Sequence, residues 1–143
     1  MSQMISIDTS RTSEPYWDHT RGLEPILVYL RNVFAMGNQQ NERFHAIFLD
    51  QARSYLDDAT LCMGNQASLS LRMRRLFAKA LSLDARAMVI AHNHPSGNCH
   101  PSACDIASTR QIVNFARAVD ITLLDHLIIT PSRAYSMRAG GHL

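Results

Sequence analysis

Cysteine is scarce and odd in number. Three residues, Cys62, Cys99 and Cys104, at irregular spacing do not make the even, patterned set of a disulfide-stapled domain, and a reducing cytosol is their natural setting. Long apolar runs are missing as well. No stretch approaches the roughly 18 consecutive apolar residues of a membrane span, and the opening MSQMISIDTSRTSEPYWDHT lacks the apolar core of a signal peptide. A cytoplasmic protein without membrane contact is therefore expected. Charge of one sign is also wanting. The net +2 does not by itself argue for nucleic acid, whose binders concentrate basic residues on one face. What the chain does have is 46% apolar residues against 18% charged, the balance of a globular domain rather than a disordered one. Its 143 residues suit one such domain.

Residues 1 to 20 are polar, rich in Ser and Thr and without periodicity, so a flexible tail ahead of a domain over 21–143 is expected. Leu23, Ile26, Leu27, Leu30, Val33 and Phe34 recur at helical spacing, with Pro25 in the first turn and Gly37-Asn38 as the stop. Phe44 to Leu49 reads as a strand, turning at residues 50–53 into a second strand near 54–63 that Gly64-Asn65 breaks. Residues 67 to 83 form the clearest amphipathic helix. Arg72, Arg75 and Lys79 share its polar face, either as a phosphate-contacting row or as the ordinary solvated side. Ala85 to Ala91 is a nearly continuous apolar run, as in a strand buried on both faces. A loop, a helix from about 102 to 119, a strand over 121–129 and a short strand near 134–137 complete the order. The fold class expected is α/β, a mixed sheet with helices packed on it.

The chemistry lies in residues 91–105, AHNHPSGNCHPSACD. His92 and His94 stand two apart at a strand end, so in extended chain their side chains share a face with Cα atoms about 6.6 Å apart. Two imidazoles so placed can converge on one ion at zinc bond lengths of roughly 2.0–2.1 Å. Pro95-Ser96-Gly97 reverses the chain, and Asp105 falls in the first turn of the next helix, where it can fold back beside them. Each residue has an ordinary explanation taken alone. Ser102-x-x-Asp105 resembles a capping box, a strand histidine is usually a hydrogen-bonded rim residue, and the turn is a turn. Together they make a three-ligand set of His92, His94 and Asp105. Such a set leaves a position open for water, as catalytic zinc sites do. Fe(II) in a two-histidine, one-carboxylate triad is the other candidate.

The pattern His92-x-His94, seven residues, Ser102, two residues, Asp105 resembles the JAMM (MPN+) motif. The longer His92-Asn93-His94-Pro95-Ser96-Gly97 with Pro101-Ser102 and Asp105 resembles the RadC family within that superfamily. Glu42-x-Phe44, Arg74 with Ala80-Leu81, Leu124-Asp125-His126 and Tyr135-Ser136 extend the likeness over about residues 23 to 140. The resemblance implies a single JAMM/MPN-like domain with cytidine-deaminase-like layering and one zinc ion on His92, His94 and Asp105. It also implies Glu42 as general acid/base and Ser102 as a donor to the oxyanion. Asn93 is read as shaping the site rather than ligating. RadC proteins commonly carry an N-terminal helix-hairpin-helix module, whereas a tail and one helix precede Glu42 here. Asp125 and His126 alternate along a strand, so at most one can face the site, in a supporting or packing role.

The leading function is thus a zinc-dependent metallohydrolase, a metallopeptidase or isopeptidase acting on a peptide or protein substrate. The alternative is a DNA-repair-associated accessory protein, possessing nucleic-acid contacts and a structural or vestigial metal. A zinc deaminase is set aside, since its H-x-E and P-C-x-x-C signature is not met by His94, Cys99 and Cys104. The sequence leaves substrate and oligomeric state open.

Overall fold

The computed structural model describes residues 24–36, 40–63 and 69–143. The expected tail over 1–20, the Gly37-Asn38 stop and the Gly64-Asn65 break lie outside them. Along the chain run α1 (Glu24–Ala35), β1 (Arg43–Leu49), β2 (Tyr55–Met63), α2 (Leu69–Ser82), β3 (Ala87–Asn93), α3 (Ala103–Ala118), β4 (Thr122–Ile129) and β5 (Ala134–Ser136). This is the order read from the sequence.

The five strands form one sheet in the order β2-β1-β3-β4-β5. Only β3 and β4 pair in parallel, with α3 as the crossover that parallel neighbours require. The inner strands β1 and β3 are buried along their whole length. Their alternate residues serve two cores. Phe44, Ala46, Phe48, Met88 and Ile90 meet Leu76, Phe77 and Ala80 of α2 and Ile112 and Ala116 of α3. Ile47, Leu49, Val89 and Ala91 meet Ile26, Leu27, Leu30 and Phe34 of α1 on the other face. The result is three layers, helix on sheet on helix, which explains why these strands read as unbroken apolar runs rather than alternating ones.

Two details bear on the site. First, β3 continues past Ala91 to carry His92 and Asn93, because both neighbours still pair there, Phe44 and Ile128 with His92 and Ile129 with Asn93. Second, the β3–β4 register shifts between Met88 and Val89. Leu123 and His126 therefore face the same core side, which simple alternation would forbid, since a bulge adds one residue and re-aims those that follow.

Away from the site, Asp58 of β2 ties the hairpin to α1. Its carboxylate accepts from Tyr29 Oη at 2.6 Å, meets His45 Nε2 at 2.7 Å and accepts from Tyr55 Oη. Burial opposes ionisation of this group, but the hydrogen bonds from His45, Tyr29 and Tyr55 outweigh it and bring its pKa to about 2. A carboxyl whose folded pKa lies below its unfolded value stabilises the fold above that unfolded value and loses the contribution as pH falls. Asp58→Asn is therefore expected to lower the urea midpoint at pH 6, and the deficit should close between pH 4 and about pH 2. A deficit that stays constant across that window would remove Asp58 from the acid transition.

Candidate metal centre

The antiparallel pairing of β1 with β3 sets the start of one strand against the end of the other, with Phe44 opposite His92. Glu42, just ahead of β1, is thereby brought beside His94, just beyond β3. The His94 N–H donates to the Ile129 carbonyl at 3.1 Å, so the parallel ladder runs one residue past the strand before the chain turns. That turn closes with Gly97 N–H on the His94 carbonyl at 3.1 Å, and Gly97 has φ +82° with open space around it. Glycine is needed there for backbone conformation and not for room. The returning chain enters α3 through a full capping box. Ser102 Oγ accepts from Asp105 N–H at 3.0 Å and Asp105 Oδ2 accepts from Ser102 N–H at 2.8 Å. The cap fixes the Asp105 carboxylate where it reaches both histidines, so a capping role does not take it away from them.

His92 Nε2 and His94 Nε2 lie 2.9 Å apart. Asp105 Oδ1 is 3.4 Å from His92 Nε2, and Oδ2 is 3.3 Å from His94 Nε2. Glu42 Oε1 stands 3.5 Å and 3.9 Å from the same two nitrogens. One donor atom from each of the four residues fits within 4.8 Å, and among the described residues this is the group of His, Cys, Asp and Glu side chains that could hold a metal ion. Tetrahedral bonds of roughly 2.0–2.1 Å place donors about 3.3–3.4 Å apart, so the Asp105 edges already match.

The surrounding hydrogen bonds fix which ring nitrogens face inward. The Thr109 hydroxyl donates to the Asp105 carbonyl at 2.7 Å and so must accept from His126 Nδ1–H at 2.6 Å. Burial holds the His126 pKa well below its ordinary value, so that ring is neutral and its Nε2 carries a lone pair. His92 Nδ1–H donates to that lone pair at 2.7 Å, which leaves His92 Nε2 as a lone pair aimed at the centre. His94 Nδ1–H donates to the Asn98 carbonyl at 2.7 Å, with the same consequence for its Nε2. Two inward lone pairs and two carboxylates repel one another unless a cation lies among them. The donor set fits a metal ion.

Electrostatics agree. Burial works against the charge on Asp105, yet the imidazoles of His92 and His94 set against it hold its carboxyl far below the usual range, the preference for positive charge beside it that a bound cation would satisfy. The Asp105 carboxylate beside it raises the His94 pKa against partial burial. Asp125 turns to the other face, where it accepts from Ser136 Oγ at 2.5 Å and from Arg138 N–H at 3.1 Å. Of the pair Asp125 and His126, it is His126 that supports the site.

Asn93 points away from the donors and grips the chain on either side of Glu42. Its Oδ1 accepts from Arg43 N–H at 2.6 Å, and its Nδ2 donates to the Asn41 carbonyl at 3.0 Å. Arg43 in turn donates to the Met36 carbonyl at 2.6 Å and to the Phe34 carbonyl, closing the end of α1 over the same segment. Asn93→Ala leaves a buried N–H of Arg43 unpaired and is expected to cost about 1–3 kcal/mol of stability. A denaturant midpoint unchanged from the parent would show that residues 41–43 are held by something else.

An open cleft of about 410 Å3 leads to the centre, lined by Glu42, Arg72, His94, Ser102, Cys104 and Asp105 among others. Across His94 lies a larger cavity of about 720 Å3 with Arg31, Phe34, Ile129 and Pro131 in its walls. Cys104 is exposed on the cleft and Cys99 is buried, and neither joins the donor group. The basic row on α2 does not act as a unit. Arg75 donates to the Leu61 carbonyl at 3.0 Å and Lys79 pairs with Asp57 at 2.8 Å, leaving only Arg72 turned to the cleft.

Residues 23–142 match the family model described as a RadC-like JAB domain. The chain belongs to the RadC family. A UPF0758 protein of Rhodobacter capsulatus is 39% identical over 109 residues, covering 76% of this chain and 51% of that protein. One from Bordetella parapertussis is 37% identical over 119 residues, covering 83% and 53%. Another, from Acidithiobacillus ferrooxidans, is 32% identical over 126 residues, covering 87% and 56%. The chain thus spans about half the length of the curated relatives it matches. The RadC match includes every helix and strand above and all four donors. No helix among the described residues is long and apolar enough to cross a membrane.

Proposed function

We propose that this RadC-family chain is a zinc-dependent hydrolase of the metallopeptidase type, cleaving a peptide or isopeptide amide. The observation that carries the reading is the convergence of two imidazole lone pairs and two carboxylates within 4.8 Å at the mouth of an open cleft. His92, His94 and Asp105 would hold the ion, and Glu42, set farther out and 41% exposed, would remain free to handle protons. Bound there, zinc would polarise the substrate carbonyl and make water acidic enough to react near neutral pH.

The protein's own groups supply the rest. Glu42 accepts the proton that water gives up on attack and delivers it to the departing amine, so one carboxylate serves both halves of the reaction. The oxygen of Ser102 is occupied as the acceptor of the Asp105 N–H, which leaves its O–H free to donate to the oxygen that becomes negative. His126 and Thr109 keep His92 in the tautomer the site needs.

The test is to strip metal from the purified protein with a chelator and restore it ion by ion. One equivalent of zinc should bind, and hydrolysis of a mixed capped-peptide pool should appear with zinc and not with magnesium. Tight zinc binding without any hydrolysis would instead favour a structural or vestigial metal in a DNA-associated protein.

A further inference from the structure

Arg72 stands at the end of the first turn of α2, where the helix dipole disfavours a cation. No acidic residue accompanies it in that turn. Its guanidinium lies 5.9 Å from the centre of the Phe44 ring, and its Nε is buried with no hydrogen-bond partner. No carboxylate pairs with it among the described residues. Beneath it a cavity of about 10 Å3, roughly the size of one water, is shared with His92, Asp105 and His126. Above, it lines the same cleft as Glu42, His94, Ser102 and Asp105. The buried Nε is out of reach of the cleft, but no hydrogen bond or ion pair holds the terminal nitrogens among the described residues. The guanidinium, steadied on an aromatic face in the cleft wall, therefore keeps donors to offer.

We propose that Arg72 is a specificity-determining residue that receives a carboxylate of the substrate close to the amide being cut. This rests on the hydrolase reading, and the carboxylate could be an acidic side chain or a free C-terminus. The planar fork of arginine suits a carboxylate in two-point contact. A nucleic-acid strand fits less well. Arg72 is the one Lys or Arg lining this cleft among the described residues, and Glu42 and Asp105 would repel the neighbouring phosphates.

The experiment uses the zinc-loaded chain and three pools of otherwise randomised hexapeptides. One is capped at both ends with glutamate at a fixed position, one is capped with glutamine there, and one has glutamine with a free C-terminus. Retention on ultrafiltration and cleavage are measured separately, and a thymidine oligonucleotide serves as a competitor. The glutamate pool, the free-carboxylate pool or both should be preferred over the capped glutamine pool by about tenfold, the low end for one charge-assisted hydrogen bond. Which of the two is preferred identifies the source of the carboxylate. In Arg72→Gln that preference should vanish through KM with kcat little changed, while Arg72→Lys keeps part of it. Both variants should still bind one zinc and unfold at the parent's temperature, which separates this role from a structural one. Equal retention of all pools by the parent, a preference that survives in Arg72→Gln, or a loss confined to oligonucleotide binding would overturn the proposal. Preference without cleavage would sustain Arg72 and remove the hydrolase; cleavage without preference would do the reverse.

Discussion

Glu42→Gln is expected to leave one zinc per chain and to lower hydrolysis roughly 10²–10⁴-fold, the usual contribution of a positioned general acid/base. Glutamine has nearly the same shape, and the backbone around it stays gripped by Asn93 through Arg43 N–H and the Asn41 carbonyl. What changes is the ability to take a proton. The experiment also separates two roles that the geometry brings close together. Glu42 lies within the same 4.8 Å group as the other donors, but at 3.5 Å and 3.9 Å from the histidine nitrogens it is the most distant of the four. If Glu42→Gln loses zinc as readily as it loses activity, Glu42 is a ligand and the proton must be carried elsewhere. If turnover is unchanged, the acid/base assignment fails outright.

Asp105→Asn and Asp105→Ala should part company in an informative way. Asparagine can still accept from Ser102 N–H, so the start of α3 survives, but the charge that completes the ion site is gone. Zinc affinity is expected to fall by more than the roughly 10–100-fold typical of losing a group that merely orients a ligand. Alanine also removes the reciprocal half of the capping box, the bond from Ser102 N–H, and the metal-free protein should then be less stable than the asparagine variant by about 0.5–1.5 kcal/mol, the worth of one hydrogen bond. Competition titration against a chromogenic chelator measures the first effect and chemical denaturation without metal the second. Zinc affinity within a few-fold of the parent in Asp105→Asn would show that Asp105 is only a helix cap.

Much of this was legible because it is local. His92, His94 and Asp105 fall within fourteen residues, and strand alternation plus one turn suffices to bring them together. The central strands were legible because burial on both faces leaves an unbroken apolar run. Glu42 lies fifty positions before His92, and only the β1–β3 register carries it to the site; by composition it is an ordinary charged residue. Family resemblance supplied what periodicity could not. His126 was hidden for a different reason. A bulge between β3 and β4 decides which of Asp125 and His126 turns inward, and no pattern in Leu123 to His126 announces it. Arg72, Arg75 and Lys79 share one helical face, yet β2 takes up two of them and leaves the third to the cleft.

The pairing of β1 with β3 runs without a shift from Phe44–His92 to Leu49–Ala87, whereas both flanking pairs, β1–β2 and β3–β4, are interrupted. Tolerance to insertion should accordingly be lopsided. Extra residues in the hairpin around Asp50–Ser54 lengthen an exposed turn at the far end of the sheet and leave the spacing between Glu42 and the histidines untouched. One residue removed from 44–49 would carry Glu42, and one removed from 87–91 would carry His92 and His94, to the opposite face of the sheet, because side chains alternate with a period of two. The hairpin is the place to attach a tag or a fused domain, and the two inner strands are the ruler against which the reactive groups are set.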